Sequence, residues 1–161
     1  MIFKWIAKKS TVSAFLFALC CAVGCSPQCN HWKLAVIKAD CPSAYYSKIY
    51  LPSCNTFNGL EAIILSCNGN KHLYLNAYTL LLPFNPNDEA HTDTLFSIEE
   101  KDYSFTAERL QGGQCLLLPD EAMELVIDSL LENKSIEITV GRYFCTLIPD
   151  NFDKVYADIV P

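Results

Sequence analysis

The cysteines of this chain offer the most chemistry, because a thiol can accept a lipid, form a disulfide, bind a metal ion or act as a nucleophile. The 161 residues contain nine of them: Cys20, Cys21, Cys25, Cys29, Cys41, Cys54, Cys67, Cys115 and Cys145. A structural metal site needs clustered ligand pairs at short spacing, and the sequence contains no Cys-x-x-Cys pair. We therefore expect no metal site and no cofactor.

The N-terminal segment has the pattern of an export signal over residues 1–24. Lys4, Lys8 and Lys9 precede 13 uncharged, mostly apolar residues at positions 11–23. A basic start, an apolar stretch of about 7–15 residues and a small-residue exit are typical of a secretory signal. The apolar stretch is short for a membrane-spanning helix, which needs about 18 or more residues.

The exit of this segment reads Ala22-Val23-Gly24-Cys25. It resembles the lipobox of bacterial lipoproteins, in which small residues precede a cysteine whose thiol receives a diacylglycerol. The resemblance implies cleavage after Gly24 and lipid attachment at Cys25, although Ala22 stands where the family usually has leucine. Two other interpretations stay open: ordinary secretion after cleavage at the same small residues, and retention of the uncleaved segment as an anchor.

The resemblance also implies a location in the cell envelope. In diderm bacteria the family's sorting rule keeps proteins with aspartate after the lipidated cysteine in the inner membrane, and this chain has Ser26 there. That residue implies the outer membrane. Residues 25–33 would then form a lipidated tether that leads into a single globular domain over 34–161.

Removal of the signal and acylation of Cys25 leave an even number of cysteines, so complete pairing is allowed. The disulfide candidates are Cys29, Cys41, Cys54, Cys67, Cys115 and Cys145. Disulfides persist in oxidising compartments such as the periplasm, but the sequence does not choose among the connectivities. The signal and cysteine content is also similar in composition to cysteine-rich envelope proteins of chlamydial type, which implies that some cysteines pair between chains.

Catalysis is the weaker interpretation of the polar residues. Cys115 or Cys145 could meet His72 or His91 as nucleophile and base, but both cysteines lie in predicted strands, where a disulfide or a buried thiol is ordinary. The three histidines, His31, His72 and His91, each sit alone in the sequence, which has no Gly-x-Ser-x-Gly motif for a serine nucleophile. We expect no catalytic residues and no enzymatic activity.

Two groups of residues could instead bind a partner. The loop oxygens of Asn85, Asn87, Asp88, Glu89 and Asp93 suit calcium, but their spacing fits no EF-hand, so we interpret them as an acidic surface loop. The other group is aromatic. It consists of Tyr45, Tyr46, Tyr50, Tyr74 and Tyr78. These residues could form a recognition surface, where tyrosine is common, or they could cover a half-buried face of the sheet.

The excess of acidic over basic side chains limits which kinds of partner the chain is expected to bind. Without the three signal lysines, 9 basic side chains face 18 acidic ones, and no basic patch is visible. Nucleic-acid binding is disfavoured, because phosphate contacts need clustered lysine and arginine. We expect a structural or interaction module that is held to the membrane by its lipid and has a protein partner in the envelope. The alternative is a small periplasmic inhibitor or ligand binder for a basic partner.

Hydrophobic periodicity predicts an α+β fold, with a mostly antiparallel, sandwich-like sheet covered by one amphipathic helix over about 120–133. The helix has Asp120 as its predicted N-cap and Met123, Val126, Ile127, Leu130 and Leu131 as its apolar stripe. A short closing helix is predicted over 151–160, capped by Asp150. The predicted strands are 34–38, 45–51, 60–67, 72–82, 94–99, 103–110, 115–118, 135–140 and 143–148.

Overall fold

The computed structural model describes residues 30–38, 45–55, 57–67, 69–78 and 81–159. It is mainly antiparallel β-structure with two short helices, as the strand and helix patterns predict. The strands are β1 (Lys33–Lys38), β2 (Tyr45–Leu51), β3 (Glu61–Cys67), β4 (Asn70–Asn76), β5 (His91–Ile98), β6 (Lys101–Arg109), β7 (Cys115–Leu117), β8 (Ile136–Val140) and β9 (Tyr143–Leu147). The helices are α1 (Asp120–Leu131) and α2 (Phe152–Ala157).

All nine strands belong to one hydrogen-bonded sheet rather than to two separate sheets, in the order β1-β2-β3-β4-β7-β6-β5-β8-β9. The sheet is strongly bent, because the residues just before β3 meet β9 at its far end. Leu60 N donates to Phe144 O at 3.2 Å, and Phe144 N donates to Asn58 O at 3.0 Å. The bend gives the sheet one inward side and one outward side.

The core lies on the inward side, where alternate residues of most strands are buried. The pattern is regular in β5, whose Thr92, Thr94, Phe96 and Ile98 are buried between exposed neighbours. Helix α1 packs into this side against β4, β8 and α2. Among the described residues, neither helix has the length and apolar continuity that a membrane crossing requires.

Helix α1 forms where the apolar stripe predicts it, but its first turn and one stripe residue differ. Pro119, not Asp120, is the N-cap: its carbonyl accepts hydrogen bonds from the backbone N–H groups of Ala122 and Met123, and no side chain caps the helix. Asp120 is the first helical residue, where its charge still complements the helix dipole. Leu131 is 45% exposed, because it lies on the opposite side of the helix from Ala122, which is part of the buried face.

The two ends of the described chain are tied together beside α2. Trp32 is buried, and its indole Nε1 donates to Ile148 O at 2.8 Å. Asn151 bonds to both backbone groups of Trp32, and the ring of Phe152 meets the indole edge-on at 4.9 Å. The fold therefore includes Trp32 and Lys33, which the sequence prediction assigned to the tether.

Helix α2 is shorter than predicted. It begins at Phe152 after Asn151, which has a left-handed backbone with a φ of 57° and makes no capping side-chain bond to the helix. Asp150, the predicted cap, instead lies 3.1 Å from His31 Nδ1. The predicted cap is therefore wrong, because the chain turns one residue later and uses the carboxylate to hold the start of the domain.

The hairpin turns at Gly69 and at Gly141-Arg142 are confirmed, since Cys67 pairs with Asn70 and Val140 with Tyr143. Two other boundaries are wrong. Strand β4 ends at Asn76 rather than Leu82, and the last bond in line with its ladder to β7 is from Ala77 N to Gln114 O. Strand β5 begins three residues earlier than predicted, at His91.

The turn between β5 and β6 also differs from the prediction. Ile98 pairs with Lys101, so the two turn residues are Glu99 and Glu100, with φ values of 47° and 67°. Two positive φ values match the twist of a tight hairpin, but glutamate is an unusual residue for them. The predicted turn at residues 100–102 missed this position because the usual glycine or asparagine is absent.

Candidate functional site

The structure places four of the nine cysteines. Cys25, Cys29 and Cys41 lie outside the described residues, so lipidation of Cys25 and the pairing of the six candidates stay predictions. Cys67, Cys115 and Cys145 are free thiols in the structure. The Sγ atom of Cys54, in the loop after β2, lies 3.5 Å from Asn30 Oδ1.

The strand thiols have the electrostatics of protonated groups. Burial, and then the negative charge of Glu61, raise the pKa of Cys115. Cys145 points from β9 toward the core; although part of its surface borders a cavity of about 200 Å³, burial of the thiol raises its pKa to about 12. A catalytic thiolate needs a lowered pKa, so these shifts run against nucleophilic chemistry at Cys115 and Cys145.

The histidines have other contacts. His91 Nδ1 lies 2.7 Å from Asp88 Oδ2, and the contact lowers the pKa of that carboxyl. His72 meets Tyr74 edge-on, with ring centroids 6.4 Å apart. These two histidines are isolated in the sequence, but the fold brings both to one open depression, which Glu108, Asp120 and Glu121 also line.

The oxygens of the candidate calcium loop are used within the loop. Asn85 Oδ1 accepts the backbone N–H of Asn87, and the Asp88 carboxylate accepts that of Ala90 while also contacting His91. Asn85 Nδ2 reaches Asp93 Oδ2 at 3.4 Å. Within the described part of the chain, no three His, Cys, Asp or Glu side chains are grouped so that they could hold a metal ion.

A continuous surface of aromatic and apolar side chains covers the outward side of β2, β3, β4 and β7. We call it the tyrosine face. Strand alternation turns these side chains outward, and their half-buried state indicates that they cover one another across the strands. The face contains Tyr46, Lys48, Tyr50, Ile63, Leu65, His72, Tyr74 and Leu117.

The strand register arranges this face in rows. In the central row, Tyr50 lies opposite Ile63, which lies opposite Tyr74. In the next row Lys48 is opposite Leu65, and Lys48 Nζ lies 4.6 Å from the centroid of the Tyr50 ring. An ammonium over a tyrosine ring is a favourable cation–π contact, so the ring of Tyr50 already binds the positive charge of Lys48.

Four of the five predicted tyrosines belong to this region. Tyr46 lies opposite Cys67, and a hydrogen bond with that cysteine raises the pKa of Tyr46. Tyr78 lies just beyond β4 and is half-exposed. The side chain of Tyr45 lies outside the description. The face is thus a half-buried sheet surface, which was one of the two alternatives, and its use in recognition stays a prediction.

The sequence analysis did not single out Glu61, which lies at the end of this face. Glu61 begins β3 with its side chain on the outward side, yet the residue is only 5% exposed. Its cross-strand neighbours are Asn76 and then Cys115. A buried glutamate at the start of a strand has no sequence signal, because the same residue is usually solvated there.

The hydroxyl of Tyr78 bonds to this carboxylate in its neutral form. Partial burial, then a hydrogen bond to the Glu61 carboxylate, raise the pKa of Tyr78 well above its usual range. Burial and the nearby Cys115 raise the pKa of Tyr74. The carboxyl group of Glu61 is thus buried beside the neutral phenol of Tyr78, and none of the ion pairs of the described residues involves Glu61.

Comparison with known proteins adds no relative to this description. No family model matches the chain, and neither the curated proteins nor the solved structures contain a significant match to it. The function must therefore be argued from these residues and their geometry alone.

Proposed function

We propose that this chain is an exported envelope lipoprotein, anchored by lipid at Cys25, whose domain is a non-catalytic interaction module. The anchor rests on the signal and the lipobox resemblance. The interaction role rests on one observation, the tyrosine face. Tyrosine and other amphipathic aromatic side chains are enriched at protein interfaces, because they bury much area and keep a polar group.

The anchor is tested by the intact mass of the protein from detergent-solubilised native membranes, alkylated without reduction. We expect a chain that starts at Cys25 and is heavier by a lipid. A mature chain of unmodified mass would refute the anchor. The same spectrum counts alkylated thiols, and therefore also tests the pairing of the six cysteine candidates.

The interaction role is tested by photo-cross-linking in intact cells. A benzoylphenylalanine in place of Tyr74, at the centre of the tyrosine face, should give a discrete adduct with an envelope protein. The matched control is Ser104, which is exposed on the outward side of β6, away from the aromatic rows. Equal adducts at both positions, or none at Tyr74, would argue against recognition by this face.

A second candidate function is the binding of a basic partner protein. It is favoured by the open depression of about 450 Å³ between β4, β5 and α1, where His72 and His91 meet Glu108, Asp120 and Glu121. Binding of a basic protein such as lysozyme that weakens steeply between low and high salt would support it. Salt-insensitive binding, or none, would refute it.

A further inference from the structure

We infer that Glu61 and the tyrosine rings around it form a binding site for a primary ammonium group, such as a lysine side chain of a partner protein. The inference deepens the proposed interaction role, and rests on it, by naming the chemistry that one end of the tyrosine face recognises. It starts from an imbalance of charge at Glu61.

The imbalance is that Glu61 is buried and belongs to none of the ion pairs formed within the described part of the chain. Removing a carboxylate from water is costly unless a positive charge or several hydrogen bonds replace the solvent. At 5% exposure Glu61 has lost nearly all of its water contact, and the Tyr78 hydroxyl is a neutral donor. An incoming ammonium would supply the countercharge that the described residues do not provide.

The surroundings suit an ammonium rather than a neutral ligand. In the sheet register Glu61 lies two residues from Ile63, whose cross-strand neighbours are Tyr50 and Tyr74. Such diagonal neighbours are about 7–8 Å apart at the backbone, within reach of aromatic side chains. Tyr50 already has Lys48 Nζ against its ring, so at least one tyrosine here is placed to attract an ammonium.

Access to the carboxylate is through Tyr78. This residue lies beyond the end of β4, outside the hydrogen-bonded strand, and half of it is exposed while its hydroxyl bonds to Glu61. Binding at Glu61 therefore requires this surface ring to rotate, a movement that leaves the hydrogen bonds of β4 intact. The phenol and the ammonium compete for the same carboxylate oxygens.

The test is a titration of the ¹⁵N-labelled full chain in detergent with Nα-acetyl-lysinamide, and with Nα-acetyl-norleucinamide as the uncharged probe of matched length. We expect saturable amide shifts confined to the residues near Glu61, such as Ala62 and Asn76, with the lysine probe only. Glu61→Gln should weaken the binding at least tenfold. The matched control Glu137→Gln, at an exposed carboxylate on β8, should leave it unchanged.

The inference is overturned if the lysine probe gives no saturable shift, if the norleucine probe binds equally, or if Glu61→Gln binds as well as the parent. Should Glu61→Gln fail to fold, Tyr78→Phe decides. It keeps the ring and the charge of Glu61 but removes the competing hydroxyl, so it should bind the lysine probe at least as tightly as the parent, and weaker binding would refute the site. A cross-link at Tyr74 without any lysine binding would leave the interaction role in place and remove this inference alone.

Discussion

Cys145 gives the sharpest quantitative prediction, because its pKa is raised to about 12 by burial. At pH 8 about one molecule in 10⁴ would carry the thiolate, against about a quarter for an unperturbed thiol with a pKa near 8.5. The smaller thiolate fraction lowers the alkylation rate, but a more basic thiolate is intrinsically more nucleophilic. With a Brønsted slope of about 0.4–0.5, this higher nucleophilicity offsets part of the decrease in rate. We therefore expect native Cys145 to react with iodoacetamide about 50–100-fold more slowly than an unperturbed thiol.

The assay follows alkylation of each cysteine by peptide mass spectrometry at pH 8, in the native state and in denaturant, without reduction. A free, buried thiol reacts slowly when native and quickly when denatured. Fast native labelling of Cys145 would refute the burial argument. Slow labelling in both states would mean that Cys145 is in a disulfide, and would refute its assignment as a free thiol.

Other perturbations test separate parts of the structure. Trp32→Ala should lower the free energy of unfolding by about 3–5 kcal/mol in a urea titration, because it empties a core position, whereas Leu34→Ala at the exposed sheet edge should change it by less than about 0.5 kcal/mol. Equal effects would contradict the inclusion of Trp32 in the fold. The pKa of Cys145 is higher in the folded than in the unfolded chain, so ionisation of this thiol favours unfolding at high pH. The free energy of unfolding should therefore be unaffected by this group below about pH 9 and should fall by up to about 1.4 kcal/mol per pH unit as the pH rises toward 12. A Cys145→Val variant whose free energy of unfolding kept the full pH slope would contradict this. Glu100→Gly should raise the free energy of unfolding by about 1 kcal/mol by relieving a left-handed glutamate, and unchanged thermal unfolding would argue against that turn.

Most of the sheet was predictable because its strands alternate between core and solvent. In β8, for example, Ile136, Ile138 and Val140 are buried between exposed neighbours, which is a period of two that the sequence displays directly. The errors fall where a non-local hydrogen bond decides the boundary. The apolar run after Asn76 continues in the sequence, but the ladder to β7 stops after the bond from Ala77 to Gln114, and no local pattern encodes where the distant strand β7 begins.

The candidate site was predictable only in part. The tyrosines could be named because aromatic residues at strand positions are visible in a sequence, and the register then gathers Tyr50 and Tyr74 on either side of Ile63. Glu61 could not be named. Its burial depends on Tyr78, which is 17 positions away, and on a strand, β7, that is inserted beside β4 from much later in the chain.

The position of Trp32 links the anchor to the tyrosine face. Lys33, the next residue, pairs directly with Tyr50 on β2, so the chain enters the fold beside one row of that face. Cys25 lies seven positions before Trp32, and a fully extended chain of that length spans about 25 Å. With a lipid at Cys25, the point of entry cannot lie farther than this from the membrane surface. With the proposed lipid in place, the tyrosine face could bind only partners that are in the membrane or lie close to it. The length of the tether would therefore help to determine which partners the protein recognises.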